Sequence, residues 1–214
     1  MRLPDPPLML ITDRAQVWRP LADVLTAALA GGCRWVSLRE KDLTGADQIT
    51  LAKQLLPIAR QFGACLTVHG DPKVADACGA DGVHLAADGQ AVRARAELDG
   101  QRLVGCSIHT LSEALALDPT IVDYAIAGPA YASASKPGYG PALGPAGLRA
   151  LARATPVPII AIGGIEPRVV ADVVAAGATG IAVMGGVMRA ADQGTYVAAL
   201  LQALADAKRQ PRGR

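Results

Sequence analysis

The chain has 214 residues, which is enough for one domain with a large core. Apolar residues make up 51% of it, aromatic residues only 3%, and the formal net charge is +2, so the composition indicates neither a nucleic acid nor another strongly charged partner. No apolar run is long enough to cross a membrane and the first residues carry no secretion signal, so we expect a cytoplasmic protein. The four cysteines form no C-x-x-C pair, which argues against a zinc ribbon or a redox motif.

Eight short apolar runs predict eight strands. In chain order they cover residues 8–12, 35–39, 65–68, 82–85, 103–107, 124–127, 159–162 and 181–184. Helical patterns lie between these runs, and strands that alternate with helices pair in parallel. Eight such units favour a single (β/α)8 TIM barrel of the α/β class. An open doubly wound sheet is the alternative, although no G-x-G-x-x-G motif follows the first strand.

The chain is predicted to form one barrel domain over residues 1–207, followed by a basic, disordered tail over 208–214. The segment Thr110–Glu113 fits a capping box, which predicts a helix start after the fifth strand. The pair Asp71-Pro72 marks another helix start, because the first turn does not need the donor that proline lacks. Residues 128–145 are rich in Gly, Pro, Ser and Ala and predict a long loop after the sixth strand, either functional or disordered.

Two glycine pairs near the end of the chain are its most informative feature. Gly163-Gly164 and Gly185-Gly186 each follow an apolar run and precede a helical pattern. Glycine lets backbone N–H groups approach an anion closely, and a helix N-terminus adds a favourable dipole. The loops after strands seven and eight of a TIM barrel commonly bind phosphate, so the pairs predict a phosphate site. The alternative is that they merely make tight strand–helix turns.

Further polar residues follow the predicted strands at their carboxyl ends, where TIM-barrel active sites lie. Arg39 and Lys41 are two residues apart on an extended segment and can face one anionic ligand; the alternative is a surface ion pair. Lys136 lies on the long loop and can close over a phosphate as a point charge, the alternative being a solvated lysine. His109 follows strand five, where an imidazole can shuttle protons or serve as a structural hydrogen-bonding residue.

The other two histidines are interpreted differently. His84 lies inside an apolar strand and is predicted to be a hydrogen-bonded core residue. His69 follows strand three at the predicted mouth of the barrel, and its role is left open.

Taken together, these segments resemble the thiamine phosphate synthase and TenI superfamily over nearly the whole chain. The matching segments are residues 10–13 (LITD), 37–41 (SLREK), 80–85 (ADGVHL), 105–110 (GCSIHT), 123–124 (DY), 128–129 (GP), 133–136 (SASK), 162–165 (IGGI) and 183–184 (VM). The resemblance implies a barrel that binds a thiazole phosphate at Gly163, Gly164, Gly185 and Gly186. It also implies ligand contacts from Arg39, Lys41, Ser107, Ser133, Ser135 and Lys136.

The superfamily has two main activities. A synthase joins hydroxymethylpyrimidine diphosphate to a thiazole phosphate and expels diphosphate with magnesium, whereas a tautomerase shifts a proton on a carboxylated thiazole phosphate to make it aromatic. The two magnesium aspartates of the synthase pattern align with Gly70 and Gly89, while Asp71 and Asp88 each stand one residue away. Magnesium offsets the charge of a departing diphosphate, whereas a proton shift needs only a placed acid–base group. His109 aligns with the histidine that carries the proton shift, although many synthases also have one.

The resemblance therefore favours a thiazole tautomerase-like isomerase with His109 as the catalytic proton shuttle and no cofactor. The alternative is a thiamine phosphate synthase, a transferase that uses magnesium held by Asp71 or Asp88. It is favoured by four retained residues that match its diphosphate contacts: Arg39, Lys41, Ser107 and Lys136. A second alternative is a non-catalytic barrel that binds a thiazole phosphate as a sensor. In each case the expected partner is a small-molecule thiazole phosphate, without nucleic acid or membrane, and a homodimer is left open.

Overall fold

The computed structural model describes residues 3–87, 89–132 and 141–209. Within those ranges strands alternate with helices. The strands are β1 (Leu8–Ile11), β2 (Trp35–Leu38), β3 (Cys65–His69), β4 (Gly82–Leu85), β5 (Leu103–Ile108), β6 (Tyr124–Ala127), β7 (Ile159–Ile162) and β8 (Gly180–Val183). The α-helices are α1 (Leu21–Ala30), α2 (Gly45–Gln61), α3 (Pro72–Cys78), α4 (Ala91–Glu97), α5 (Leu111–Leu115), α6 (Gly144–Ala154), α7 (Val170–Ala175), α8 (Gly185–Met188) and α9 (Gln193–Arg209).

The strands close into one parallel barrel. Each strand pairs with its neighbours in chain order, and β1 also pairs with β8, where Leu8 stands opposite Ile181. This closure confirms the predicted (β/α)8 barrel, because the two edge strands of an open doubly wound sheet would each lack one neighbour. The carboxyl ends of all eight strands consequently surround a single rim.

The predicted strand boundaries agree with the observed ones to within one residue at each end. The end of the chain differs from the prediction: α9 continues through Lys208 and Arg209, so the predicted tail begins as helix. The buried Ala207 extends the apolar face of α9 this far, which explains the continuation. Residues 210–214 lie outside the described residues, and the rest of the tail stays a prediction. Among the described helices, none has the length and apolar character needed to cross a membrane.

Alternation along the strands separates two apolar layers. Outward-facing residues such as Val36, Val83 and Val104 pack beneath the helices in the larger cluster. Inward-facing residues fill the lumen of the barrel: Met9, Ile11, Trp35, Leu103, Tyr124, Ile126, Ile160 and Ala182. Trp35 and Tyr124 meet edge to face, with ring centroids 4.7 Å apart and planes at 80°. This packed lumen is the floor on which a site at the rim rests.

Gly105 makes room for the Tyr124 ring inside the lumen. A Cβ atom at position 105 would lie 2.1 Å from Cζ of Tyr124, whose ring is fully buried against Trp35. We expect Gly105→Ala to lower the free energy of unfolding by about 1–3 kcal/mol, measured by urea denaturation. Gly100→Ala is the matched control, because nothing lies within 4 Å of a Cβ atom there. An equal loss in both variants would contradict the packing argument.

Candidate active site

A cavity of about 650 Å³ opens at the carboxyl ends of the strands. The predicted site residues that line it are Arg39, Lys41, His69, Ser107, His109, Gly163, Gly164, Gly185 and Gly186. The barrel thus gathers side chains and loops that are far apart in the sequence around one space. The predicted residues Asp88, Ser133, Ser135 and Lys136 lie outside the described residues, so their part in the site stays a prediction.

The two glycine pairs lie side by side on the cavity wall, because they follow the neighbouring strands β7 and β8. Gly163 and Gly164 have φ angles of +97° and +63°, which side chains other than glycine rarely adopt. Gly185 and Gly186 begin the short helix α8. Cβ atoms at Gly163, Gly164 and Gly186 would lie 2.9, 2.7 and 3.1 Å from atoms of Pro129, Tyr131 and Tyr196. Glycine therefore lets these loops pack closely together where their backbone lines the cavity.

The four glycines Gly163, Gly164, Gly185 and Gly186 are called the glycine wall below. The loop after β6 is joined to this glycine wall by backbone hydrogen bonds. The N–H of Ala130 donates to the carbonyl of Ile162 at 2.7 Å, and that of Tyr131 donates to the carbonyl of Gly163 at 3.0 Å. The pairing of β6 with β7 therefore continues beyond the ends of both strands. The predicted long loop over residues 128–145 begins as an extension of the barrel that reaches Ala132 beside Gly164. It ends earlier than predicted, because α6 begins at Gly144, and the N–H of Leu143 donates back to the carbonyl of Pro129 at 2.8 Å.

Arg39 and Lys41 lie on the wall after β2, on either side of a buried carboxylate. Glu40 is only 4% exposed and accepts the backbone N–H of Arg14 at 3.1 Å. Burial raises the pKa of Glu40, although hydrogen bonds from Thr12 and Arg14 oppose that rise. The N–H of Arg39 also donates to the Thr12 hydroxyl oxygen at 3.0 Å. These contacts tie the loops after β1 and β2 together and hold the two cations at the cavity.

His109 precedes α5 and is held by the predicted capping box, which the structure confirms. Oγ1 of Thr110 accepts the N–H of Glu113 at 3.3 Å, while Oε2 of Glu113 accepts the N–H groups of His109 at 2.5 Å and of Thr110 at 2.9 Å. Burial raises the pKa of Glu113, but these donors outweigh it and leave the pKa below its ordinary value. The same carboxylate lies 3.7 Å from Nδ1 of His109, whose side chain is 36% exposed. The imidazole is therefore anchored at its backbone and open to the cavity.

His84 is buried, as predicted, but it also lines the cavity, which the sequence analysis missed. Its ring lies between those of His69 and Tyr124, with centroid distances of 5.3 and 5.6 Å. Its Nε2 is 3.0 Å from Oγ of Ser107. The side-chain alternation along β4 could have predicted this position. The apolar neighbours of His84 pack beneath the helices, so His84 itself faces the lumen.

The burial of His84 predicts a pH-dependent stability. Burial lowers its pKa well below the usual value, with smaller contributions from His69 and Arg39. An unfolded histidine takes up a proton near pH 6.5, so below about that pH the unfolded state binds more protons than the folded state. We expect stability to fall between about pH 6.5 and about pH 5, by up to about 1.4 kcal/mol per pH unit from this group. Urea unfolding should show a shallower decline for His84→Gln; equal slopes would contradict this.

The described acidic residues do not fit a magnesium site. Asp71, the candidate ligand of the synthase alternative, caps α3 by accepting the N–H of Lys73 at 2.9 Å, and it does not line the cavity. Within the described part of the lining, Glu166 is the only carboxylate, and its Oε2 accepts from Nε of Arg168 at 2.8 Å. Magnesium prefers carboxylate and phosphate oxygens, whereas this lining offers imidazoles and cations. Of the two candidate ligands, Asp88 lies outside the described residues.

The chain is similar to known proteins along most of its length. Residues 8–187 match the family model described as thiamine monophosphate synthase. Over 194 residues the chain is 39% identical to a thiamine-phosphate synthase from Geobacillus kaustophilus, covering 89% of this chain and 88% of that protein. It is also 39% identical over 187 residues to the thiamine biosynthesis bifunctional protein ThiM/ThiE from Symbiobacterium thermophilum, covering 87% of this chain and 39% of that longer protein.

A solved structure gives the same result. The thiamine phosphate pyrophosphorylase from Pyrococcus furiosus matches the barrel with a TM-score of 0.83 at 29% sequence identity. The match covers 94% of this chain and 96% of that one. The Geobacillus and Pyrococcus proteins are named as a synthase and a pyrophosphorylase, and none of the three is named as a tautomerase. The chain therefore belongs to the thiamine monophosphate synthase family, and it is an enzyme of thiamine biosynthesis.

Proposed function

We propose that this enzyme acts on a carboxylated thiazole phosphate and shifts one proton, giving the aromatic carboxythiazole phosphate without a metal ion. One observation carries the proposal: His109 and the glycine wall share a cavity, while Gly70 and Gly89 stand where the synthase pattern has its magnesium aspartates. A proton shift needs a phosphate anchor and an acid–base group. A diphosphate transfer needs, in addition, an ion that offsets the charge of the leaving group.

The substrate phosphate binds at the glycine wall formed by Gly163, Gly164, Gly185 and Gly186. This assignment is supported by the left-handed φ angles of the first pair and by the α8 helix start at the second pair. Anchoring the phosphate there fixes the thiazole ring in the cavity. When the ring is held in place, the proton transfer takes place within one complex and does not depend on a chance encounter. Positioning of this kind lowers the entropic part of the activation barrier.

His109 acts as the acid–base group. Its imidazole accepts the proton that leaves one carbon, and the electron pair of the broken C–H bond passes into the conjugated ring. The protonated imidazole then returns the proton to another carbon, where a new C–H bond forms. The balance is one C–H bond broken and one formed. Between the two transfers the negative charge on the ring is matched by the protonated imidazole, and no group leaves the substrate, so there is no leaving-group charge for a metal ion to offset.

The second candidate is the transferase, and the names of the relatives favour it. Arg39, Lys41 and Ser107 also line the cavity, and two cations beside a hydroxyl suit a leaving diphosphate. Against this candidate stand the described carboxylates, because Asp71 is used as a helix cap and Glu166 is paired with Arg168. The transferase would therefore depend on Asp88 or on a metal site of another kind.

Assays on the wild-type protein distinguish the candidates. The carboxylated thiazole phosphate is offered with and without a metal chelator, and formation of the aromatic isomer is followed by proton NMR. We expect turnover that the chelator does not change, and no thiamine phosphate when hydroxymethylpyrimidine diphosphate and magnesium are added. Thiamine phosphate formed with magnesium, without any proton shift, would establish the transferase instead. Binding of the thiazole phosphate without either reaction would establish the sensor.

A further inference from the structure

The hydrogen bond between His84 and Ser107 is a feature that the proposed proton shift does not use. The two side chains belong to adjacent strands, and Ser107 stands two residues beyond Gly105, the register partner of His84. Nε2 of His84 and Oγ of Ser107 are 3.0 Å apart, and both residues line the cavity. Among the described residues, Nδ1 of His84 finds no hydrogen-bond partner, although the side chain is 2% exposed.

We infer that His84 is a positioning residue that turns the Ser107 hydroxyl into a hydrogen-bond donor for an anionic oxygen of the substrate. This inference rests on the proposed function, because it assigns a role within the same cavity. What it adds is the role of His84, which fixes how the predicted ligand contact Ser107 presents its hydroxyl hydrogen on the wall away from the phosphate anchor.

The direction of the hydrogen bond between His84 and Ser107 follows from Nδ1 of His84, which has no partner among the described residues. A neutral imidazole carries its hydrogen on one nitrogen only. If Nδ1 carried it, a buried N–H group would have no acceptor, and such orphaned donors are rarer than under-used acceptors. The favoured tautomer places the hydrogen on Nε2, which then donates to Oγ of Ser107. The Ser107 hydroxyl hydrogen is left to point elsewhere.

The surroundings of His84 keep its imidazole neutral, as the assigned tautomer requires. The groups that face it are His69, Tyr124, Arg39 and Ser107, and no carboxylate is among these neighbours in the described part of the chain. A positive or polar neighbourhood without a carboxylate favours a neutral imidazole, and burial favours it further. His84 therefore stays neutral and continues to donate its Nε2–H to Ser107 during the reaction.

A ligand in the cavity can supply the group that Ser107 contacts, because the only hydrogen bond of its hydroxyl among the described residues is the one with His84. Arg39 and Lys41, whose side chains are donors only, line the same cavity. In the closed order of eight strands β4 lies opposite β8, so a substrate held by its phosphate at the glycine wall turns a different group toward His84 and Ser107. On the proposed substrate that group is the ring carboxylate. Two cations and a hydroxyl donor together form a carboxylate subsite.

Calorimetric titration with two ligands tests this role. The ligands are the carboxythiazole phosphate product and the same thiazole phosphate without its carboxylate. We expect the wild type to bind the carboxylated ligand at least about 10-fold more tightly, and Ser107→Ala to lose about 10- to 100-fold in affinity for that ligand alone. Equal binding of both ligands by the wild type would overturn the inference and leave the proposed function standing. Binding of neither ligand would overturn the proposed function itself.

Variants at position 84 separate positioning from packing. His84→Gln keeps an N–H donor at the same end of the side chain and is expected to keep most of the preference for the carboxylated ligand. His84→Leu removes the donor and is expected to lose the preference as Ser107→Ala does, with no further loss in the double variant. Thermal melting checks that each variant is folded. Independent losses that multiply in the double variant, or a His84→Gln as poor as His84→Leu, would overturn the role of His84.

Nitrogen NMR tests the tautomer without any ligand. The chain has three histidines, so ¹⁵N-labelled histidine gives few ring signals, and His84→Gln identifies the set that belongs to His84. We expect a neutral ring with its hydrogen on Nε2, and a shift of that signal in Ser107→Ala. A hydrogen on Nδ1 would overturn the assigned direction of the bond, whatever the enzyme binds.

Discussion

Replacing Gly164 with alanine is expected to lower the affinity for a thiazole phosphate by about 10²-fold while the barrel stays folded. Gly164 has a φ angle of +63°, where a side chain costs about 1–2 kcal/mol. The new Cβ atom would also lie 2.7 Å from Cβ of Tyr131 and 2.8 Å from the carbonyl oxygen of Ala132. Both contacts are to the loop after β6, which is hydrogen-bonded to the glycine wall. The substitution therefore displaces the two loops at the phosphate end together.

Gly79→Ala is the control that separates this displacement from backbone strain. Gly79 ends α3 with a φ angle of +73°, and nothing lies within 4 Å of a Cβ atom there. Both variants should lose stability to the left-handed conformation, and Gly164→Ala should lose more because of its two close contacts, measured by urea unfolding. In calorimetric titration, only Gly164→Ala should lose affinity for the thiazole phosphate. Unchanged affinity in Gly164→Ala would mean that the phosphate does not bind at this wall.

Most of the barrel could be predicted from local sequence patterns. Its strands are buried on both faces, so each is a short continuous apolar run, as residues 159–162 illustrate. Most of these strands are followed directly by Gly or a polar residue, such as Thr12, Gly128 and Gly163, which limits boundary errors to about a residue. The predicted tail began two residues too early, because Lys208 and Arg209 fit the basic last turn of a helix and the stop signal, Pro211, comes two residues after Arg209.

Site residues could be predicted from the sequence where one short segment contains the whole signal. The pair Gly163-Gly164 and the capping segment that holds His109 are both local signals, and the cavity contains both. Asp71 shows a conflict between two local signals. As a candidate metal ligand it would point into the cavity, but Asp71-Pro72 is also a strong helix start, and the carboxylate is used as that cap.

The contact between His84 and Ser107 was not predictable in the same way. Neither residue stands out in its own strand, and the contact depends on the register that places His84 opposite Gly105 on the neighbouring strand. Register in a parallel barrel is set by the closure of all eight strands, which no single segment encodes. A lumen-facing histidine near the end of a strand is nevertheless a signal that alternation alone reveals.

His109→Ala is expected to lower kcat for the proton shift by about 10²–10⁴-fold, with little change in affinity for the thiazole phosphate. The loss falls on kcat because the imidazole takes part in the proton transfer, while the phosphate is held by the glycine wall. The measurement is a steady-state assay by proton NMR, together with calorimetric titration of the product. Added imidazole should restore part of the lost rate, because the His109 side chain is 36% exposed and lines an open cavity of about 650 Å³.

Glu113→Gln is the matched control for the anchoring of His109. Glutamine keeps a carbonyl oxygen that can accept the N–H groups of His109 and Thr110, but it removes the charge that lies 3.7 Å from the imidazole Nδ1. A loss much smaller than that of His109→Ala is expected, because the reacting group itself remains in place. A His109→Ala enzyme with the wild-type kcat would remove the proton shuttle from this cavity. A large loss that imidazole cannot relieve, with altered melting, would assign His109 to the structure of the capping segment instead.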